Sequence, residues 1–183
     1  MSSMAQARYS MGAIILHWVT AILVIFMIVF GEDLIKGAEH DPAGETYLAS
    51  IHVSIGVSIL VLTLLRLLWR AMHPAPPYPD TMKPWELMLA KFTHLLFYIL
   101  LLGVPLTGWL AFSEWIREEP AMTAVSVFGL FSLPIGPAIG KVAKEIHEVG
   151  SNAMMILVIL HVLAALKHQF LDGDGILRRM SPH

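Results

Sequence analysis

Cysteine is absent from this 183-residue chain. Its absence excludes structural disulfides, thiolate-held iron–sulfur clusters and thioether-attached haem. Any metal or cofactor must then be held by His, Met, carboxylate or backbone. Charge is scarce too: Asp, Glu, Lys and Arg make up 14% of the residues, where a soluble domain carries roughly 25%. What fills the chain is apolar, 56% of it, with a mean hydropathy of +0.68. That composition belongs to a polytopic membrane protein, with lipid as its surroundings and no nucleic-acid partner. The length fits one domain, 1–183.

Four runs are long enough to cross a hydrocarbon core about 30 Å thick at about 1.5 Å per residue. They lie near 12–31, 47–70, 85–112 and 144–170. The first has no small-residue cleavage site after it and reads as a retained span, not a signal peptide. Residues 33–45 are expected to form a polar, acidic loop. Residues 73–84 hold five of the eleven prolines, so an extended linker is expected there. An outer loop is expected over 113–143. Its uncharged stretch 121–140 contains Pro134, Pro137, Gly129, Gly136 and Gly140, which suits a segment resting in the interface, with a short helix around 121–131. With both termini cytoplasmic, the inner segments hold eight of the twelve Lys/Arg, and ten of the fourteen carboxylates fall outside. That Lys/Arg bias supports both termini inside.

Nine histidines are many for so apolar a chain, and their depths matter most. His17 lies about one and a half turns into the first span from the inner side. His52 lies at similar depth in the second span, from the outer side. The fourth span carries His147 and, fourteen residues later, His161. Fourteen residues return within about 40° of four full turns, so both rings leave one face, about 21 Å apart. An outer layer (His52, His147) and an inner layer (His17, His161) result. Two imidazoles facing across a bundle are what a six-coordinate haem iron requires. Arg66 stands fourteen residues after His52, at the inner layer, where it can pair with a haem propionate or a quinone headgroup. A macrocycle roughly 10 Å wide needs small neighbours beside its ligands. Ala21 follows His17, Gly56 follows His52, Gly150 follows His147, and Ala164 and Ala165 follow His161. His94 and His168 fall toward the inner side as quinone-site candidates. His40, His73 and His183 read as solvated, and the eleven methionines as gap-filling core.

The segments ILHW, IHVSIGVSILVLTLLRLLWR with its HPAPP exit, THLLFYILLLGVPLTGW, and IHE…LHVLAALKH together resemble the bacterial cytochrome b561 family. The resemblance covers nearly the whole chain. It implies an all-α, transmembrane four-helix bundle holding two non-covalent b haems. His17 and His161 would ligate the inner iron, and His52 and His147 the outer one. Arg66, Arg70, Gly56 and Gly150 would complete the cofactor sites. The wider family includes quinone-linked cytochrome b subunits of formate dehydrogenase and nickel–iron hydrogenase, and one branch includes a superoxide oxidase. The implied activity is oxidation of superoxide to O2 with reduction of ubiquinone. Lys144, Lys141 and Arg117 are the outer cations that would attract the anion, although carboxylates outnumber cations on that side. The alternative is an electron-transfer subunit serving a separate dehydrogenase or a periplasmic redox partner. A haem-free proton or divalent-metal transporter using the histidines as a relay is the reading from another class.

Overall fold

In hydrocarbon no water takes up backbone N–H and C=O groups, so an apolar run satisfies them internally, as helix. The computed structural model describes residues 8–40, 45–79, 82–118 and 125–181. It contains four long helices: α1 (Met11–His40), α2 (Glu45–Met72), α3 (Pro84–Glu118) and α4 (Gly140–Lys167). All four are long and apolar enough to cross a membrane. Large apolar side chains such as Ile22, Val29, Leu64, Leu95 and Ile159 point outward, where a lipid belt would cover them. Thr20, Ser54, Thr63 and Ser113 are buried instead. Three of these hydroxyls turn back onto their own helices, Thr20 to the Leu16 carbonyl (2.7 Å), Thr63 to Ile59 (2.7 Å) and Ser113 to Trp109 (2.8 Å).

The helices run past the expected spans. α1 continues through Glu32 and Lys36, which pair one turn apart at 2.5 Å, so of the loop expected over 33–45 residues 33–40 are helical and 41–44 lie outside the described residues. α3 continues to Glu118, leaving 119–139 as the connection to α4. Pro84 opens α3, where its missing N–H costs nothing. Glu86 accepts a hydrogen bond from the Lys83 N–H at 3.0 Å, one half of a capping box.

A seven-residue repeat sets the interior. Seven residues fall within about 20° of two full turns and advance about 10.5 Å, so a helix returns the same face to the bundle axis. The middle layer takes one residue from each helix: Val24, Ile59, Leu101 and Met154. Stepping seven residues outward reaches Gly31, His52, Gly108 and His147. Stepping seven inward reaches His17, Arg66, His94 and His161. An apolar plug therefore separates two polar layers.

At the inner end the chain closes on itself. The Tyr9 N–H donates to the Arg179 carbonyl (3.3 Å) and the Trp18 indole to Met180 (2.7 Å). Arg8 donates to the carbonyls of Arg178 and Ser181, and Arg179 to that of Pro77. Gly12 lets the Trp69 indole lie against α1. At the outer end the described part of the connection, 125–139, is not helical. Of the short helix expected around 121–131, residues 121–124 lie outside the described residues, and 125–131 form a tight turn instead: Val127 bridges Phe131, with Phe128 at φ 51 and Gly129 at φ 71. Glycine supplies that backbone freely, and the Phe128 amide is held by the Ser54 hydroxyl.

Candidate functional site

The outer layer brings together His52 and His147, their ring centroids 6.1 Å apart. Each ring is fixed by its other nitrogen. His52 Nδ1 lies 3.0 Å from the Gly31 carbonyl of α1, and His147 Nδ1 lies 2.8 Å from the Val104 carbonyl of α3. A carbonyl oxygen only accepts, so Nδ1 carries the hydrogen in both rings and Nε2 is left as the metal-binding nitrogen. All four helices thus contribute to the setting of this pair.

The inner layer is richer. His17 and His161 have centroids 6.3 Å apart, and His94 stands at the same 6.3 Å from His161. Arg66 lies within electrostatic reach of all three imidazoles, and its guanidinium sits 5.8 Å from the Tyr98 ring centroid, a cation–π geometry. Arg70 is exposed one turn further in, near Tyr9 and Tyr78. Burial holds the Tyr78 phenol above its usual range; nearby Tyr9 adds to this and Arg70 opposes it.

These donors fit haem on three observations. Two imidazoles gripping one metal from opposite sides, each bond about 2 Å long, have centroids roughly 6 Å apart, which both pairs match. His17 keeps a buried Nδ1 with no hydrogen-bond partner among the described residues. Gly56, one turn from His52, faces open space, with nothing within 4 Å of where a Cβ would stand. Gly150 differs from its expected role. A Cβ there would come within 2.9 Å of Val104, so it lets α3 close on α4 and gives no free volume.

The remaining sequence candidates are dispersed. His168 is nearly buried and sits between Asp174 (2.7 Å) and Asp172 (3.0 Å), in a π-helical turn (His168–Asp172). Lys167 bridges Asp172 (2.6 Å) and the buried Glu86 (2.8 Å). His168 lies seven residues past His161, on the same face and about 10.5 Å further in. On the outer side Arg117 pairs with Glu114 at 3.0 Å and donates to the Gly136 carbonyl, fastening the connection to α3. Lys141 and Lys144 are exposed, the latter 4.0 Å from Glu148.

Gly108 is a site residue that the histidine pattern did not reveal. A Cβ there would lie 2.8 Å from His147 Cε1 and 2.9 Å from Nδ1. The ring cannot retreat without losing Val104. Gly108→Ala is expected to cost roughly 1–3 kcal/mol by overpacking and to tilt His147. Thermal unfolding and the low-temperature electron paramagnetic resonance of the oxidised protein would read both effects; unchanged g-values with unchanged stability would refute them.

The chain matches the family described as prokaryotic cytochrome b561 over residues 8–183. It is 30% identical to cytochrome b561 homolog 2 of Escherichia coli K12, covering 94% of this chain and 90% of that protein. It is 31% identical to a cytochrome b562 of Cereibacter sphaeroides and 29% identical to the probable superoxide oxidase CybB of Yersinia pestis, with 96% of each chain covered in both cases.

Proposed function

The chain belongs to the prokaryotic cytochrome b561 family, an electron-transfer family with b-type haem, and on that premise we propose that it reduces ubiquinone with electrons from superoxide in the bacterial inner membrane. Two superoxide anions each lose one electron and leave as O2. One ubiquinone gains those two electrons and two protons and leaves as ubiquinol. Bound haem b supplies reversible one-electron oxidation and reduction, and two copies suit the two histidine layers. The observation that carries the reading is the matched pair of imidazole clusters, one near each end of the bundle, divided by Val24, Ile59, Leu101 and Met154. The similarity to a probable superoxide oxidase supports the choice of donor.

Each residue then has a task. His52 and His147 hold the outer cofactor, and His17 and His161 the inner one. Arg66 pairs with a propionate or donates to a quinone carbonyl at the inner layer. His94 offers a hydrogen bond to the quinone, and His168, gripped by Asp172 and Asp174 at the inner rim, passes protons from the inner side to it. Lys141 and Lys144 draw the anion toward the outer layer; Arg117, tied to Glu114, shapes that surface. The first and last described segments of the chain meet at the end carrying Arg8, Arg70 and Arg179, which supports a cytoplasmic placement for both termini.

One observation favours a second reading. Outer carboxylates outnumber outer Lys/Arg by ten to four, which repels an anion and suits a redox protein docking from the periplasm or a separate dehydrogenase. Proteoliposomes containing ubiquinone and supplied with a superoxide source separate the two. Superoxide-dependent ubiquinol formation, abolished by superoxide dismutase and weakened by salt, is the expected result. Haem-replete vesicles that form no ubiquinol leave the subunit reading in its place.

A further inference from the structure

The tight turn at Val127–Phe131 exposes a cluster of large apolar side chains outside the four long helices. Val125 packs against Ala49 of α2 and Phe112 of α3, and Val127 is buried, whereas Phe128, Leu130 and Phe131 are 64%, 79% and 53% exposed. Its depth is fixed by α2. The Ser126 N–H donates to Ser50 Oγ at 3.1 Å, and the Phe128 N–H to Ser54 Oγ at 2.8 Å. Ser54 lies sixteen residues from Arg70, about 24 Å along the helix. On α4, Glu148 and Lys167 are nineteen residues apart, about 28 Å, which matches a hydrocarbon core about 30 Å thick. With Arg70 and Lys167 marking the inner boundary, Phe128 falls just inside the outer one.

The other end of the same segment is fixed on α3. The Trp109 indole donates to the Pro134 carbonyl at 2.8 Å, and the Gly136 N–H to Ser113 Oγ at 3.0 Å. Irregular backbone at this depth survives only when its polar groups find partners, and the serines and the tryptophan provide them. What they do not cover is the tip, which is uncharged and exposes Phe128, Leu130 and Phe131.

We infer that Phe128, Leu130 and Phe131 form an interfacial anchor inserted into the outer leaflet, holding residues 125–139 down across the end of the bundle next to the outer histidine pair. The partner is the lipid surface itself. Large apolar side chains on a small, uncharged tip are what such a surface binds, and lipid takes up the side chains that the strained Phe128 backbone turns outward.

The absence of cysteine makes the test direct. A nitroxide is placed on Leu130→Cys and, separately, on Phe128→Cys in proteoliposomes, and its relaxation is read with dissolved O2 and with a water-soluble nickel chelate. Val61→Cys, on the outward face of α2, gives the lipid reference, and Lys141→Cys the aqueous one. Both tip labels should show an O2-to-nickel accessibility ratio several-fold above that of Lys141→Cys and near that of Val61→Cys. Ratios equal to the aqueous reference at both tip positions overturn the anchor. Neither outcome depends on the superoxide reading, because no electron transfer is measured.

Discussion

His52→Ala and His147→Ala are each expected to strip the protein of one b haem, and of the same one. Haem content should fall from about two to about one equivalent per chain, since a b-type cofactor has no covalent tether and depends on its axial ligands. The two rings stand 6.1 Å apart and are locked by carbonyls on two other helices. Losing a backbone partner alone commonly costs 10–100-fold in metal affinity, so deleting the ring costs more. The same absorbance component should disappear from the reduced-minus-oxidised spectra of both variants. Met154→Leu, in the apolar middle layer, should keep both haems, because volume-conserving swaps there cost less than about 1.5 kcal/mol. Two different haems lost from the two variants, or full content in either, would break the outer pair apart.

Much of this site was legible from spacing alone. A helix has a fixed pitch, so fourteen residues between His147 and His161 dictate one face and two depths whatever surrounds them. The four long helices followed from hydropathy, and the pairing of layers followed from depth. What stayed hidden depends on tertiary contact. Gly108 has no titratable group and no special spacing within its own segment; its role exists only because His147 leans against it from another helix. Gly150 looked like room for a ring because small residues near ligands often are, but Val104 occupies that space. The turn at Phe128 overrode a weak helical signal because Ser50 and Ser54 offered its backbone better partners. His168 seemed to belong with His94, yet two aspartates in the chain just after it hold it at the inner rim. Charge counting also missed that Arg117 is occupied by Glu114 and Gly136.

The inner layer presents a sharper choice, because His161 has two imidazole neighbours at the same 6.3 Å. His161→Ala should remove the inner haem under either pairing. His17→Ala should remove that haem as well, whereas His94→Ala should retain both and slow only the reduction of ubiquinone. One feature favours His17. Its buried Nδ1 lacks a partner among the described residues, an arrangement that costs roughly 1–3 kcal/mol and that the ring's service to a metal would offset. Phe97 packs edge-on to His161 at 5.2 Å and Tyr98 lies under Arg66, contacts that stand whichever ring pairs with His161. Haem quantitation on the three variants, with ubiquinol formation measured alongside, decides between them. Loss of the inner haem from His94→Ala with its retention in His17→Ala would move the ligand from α1 to α3 and leave His17 as the group facing the quinone.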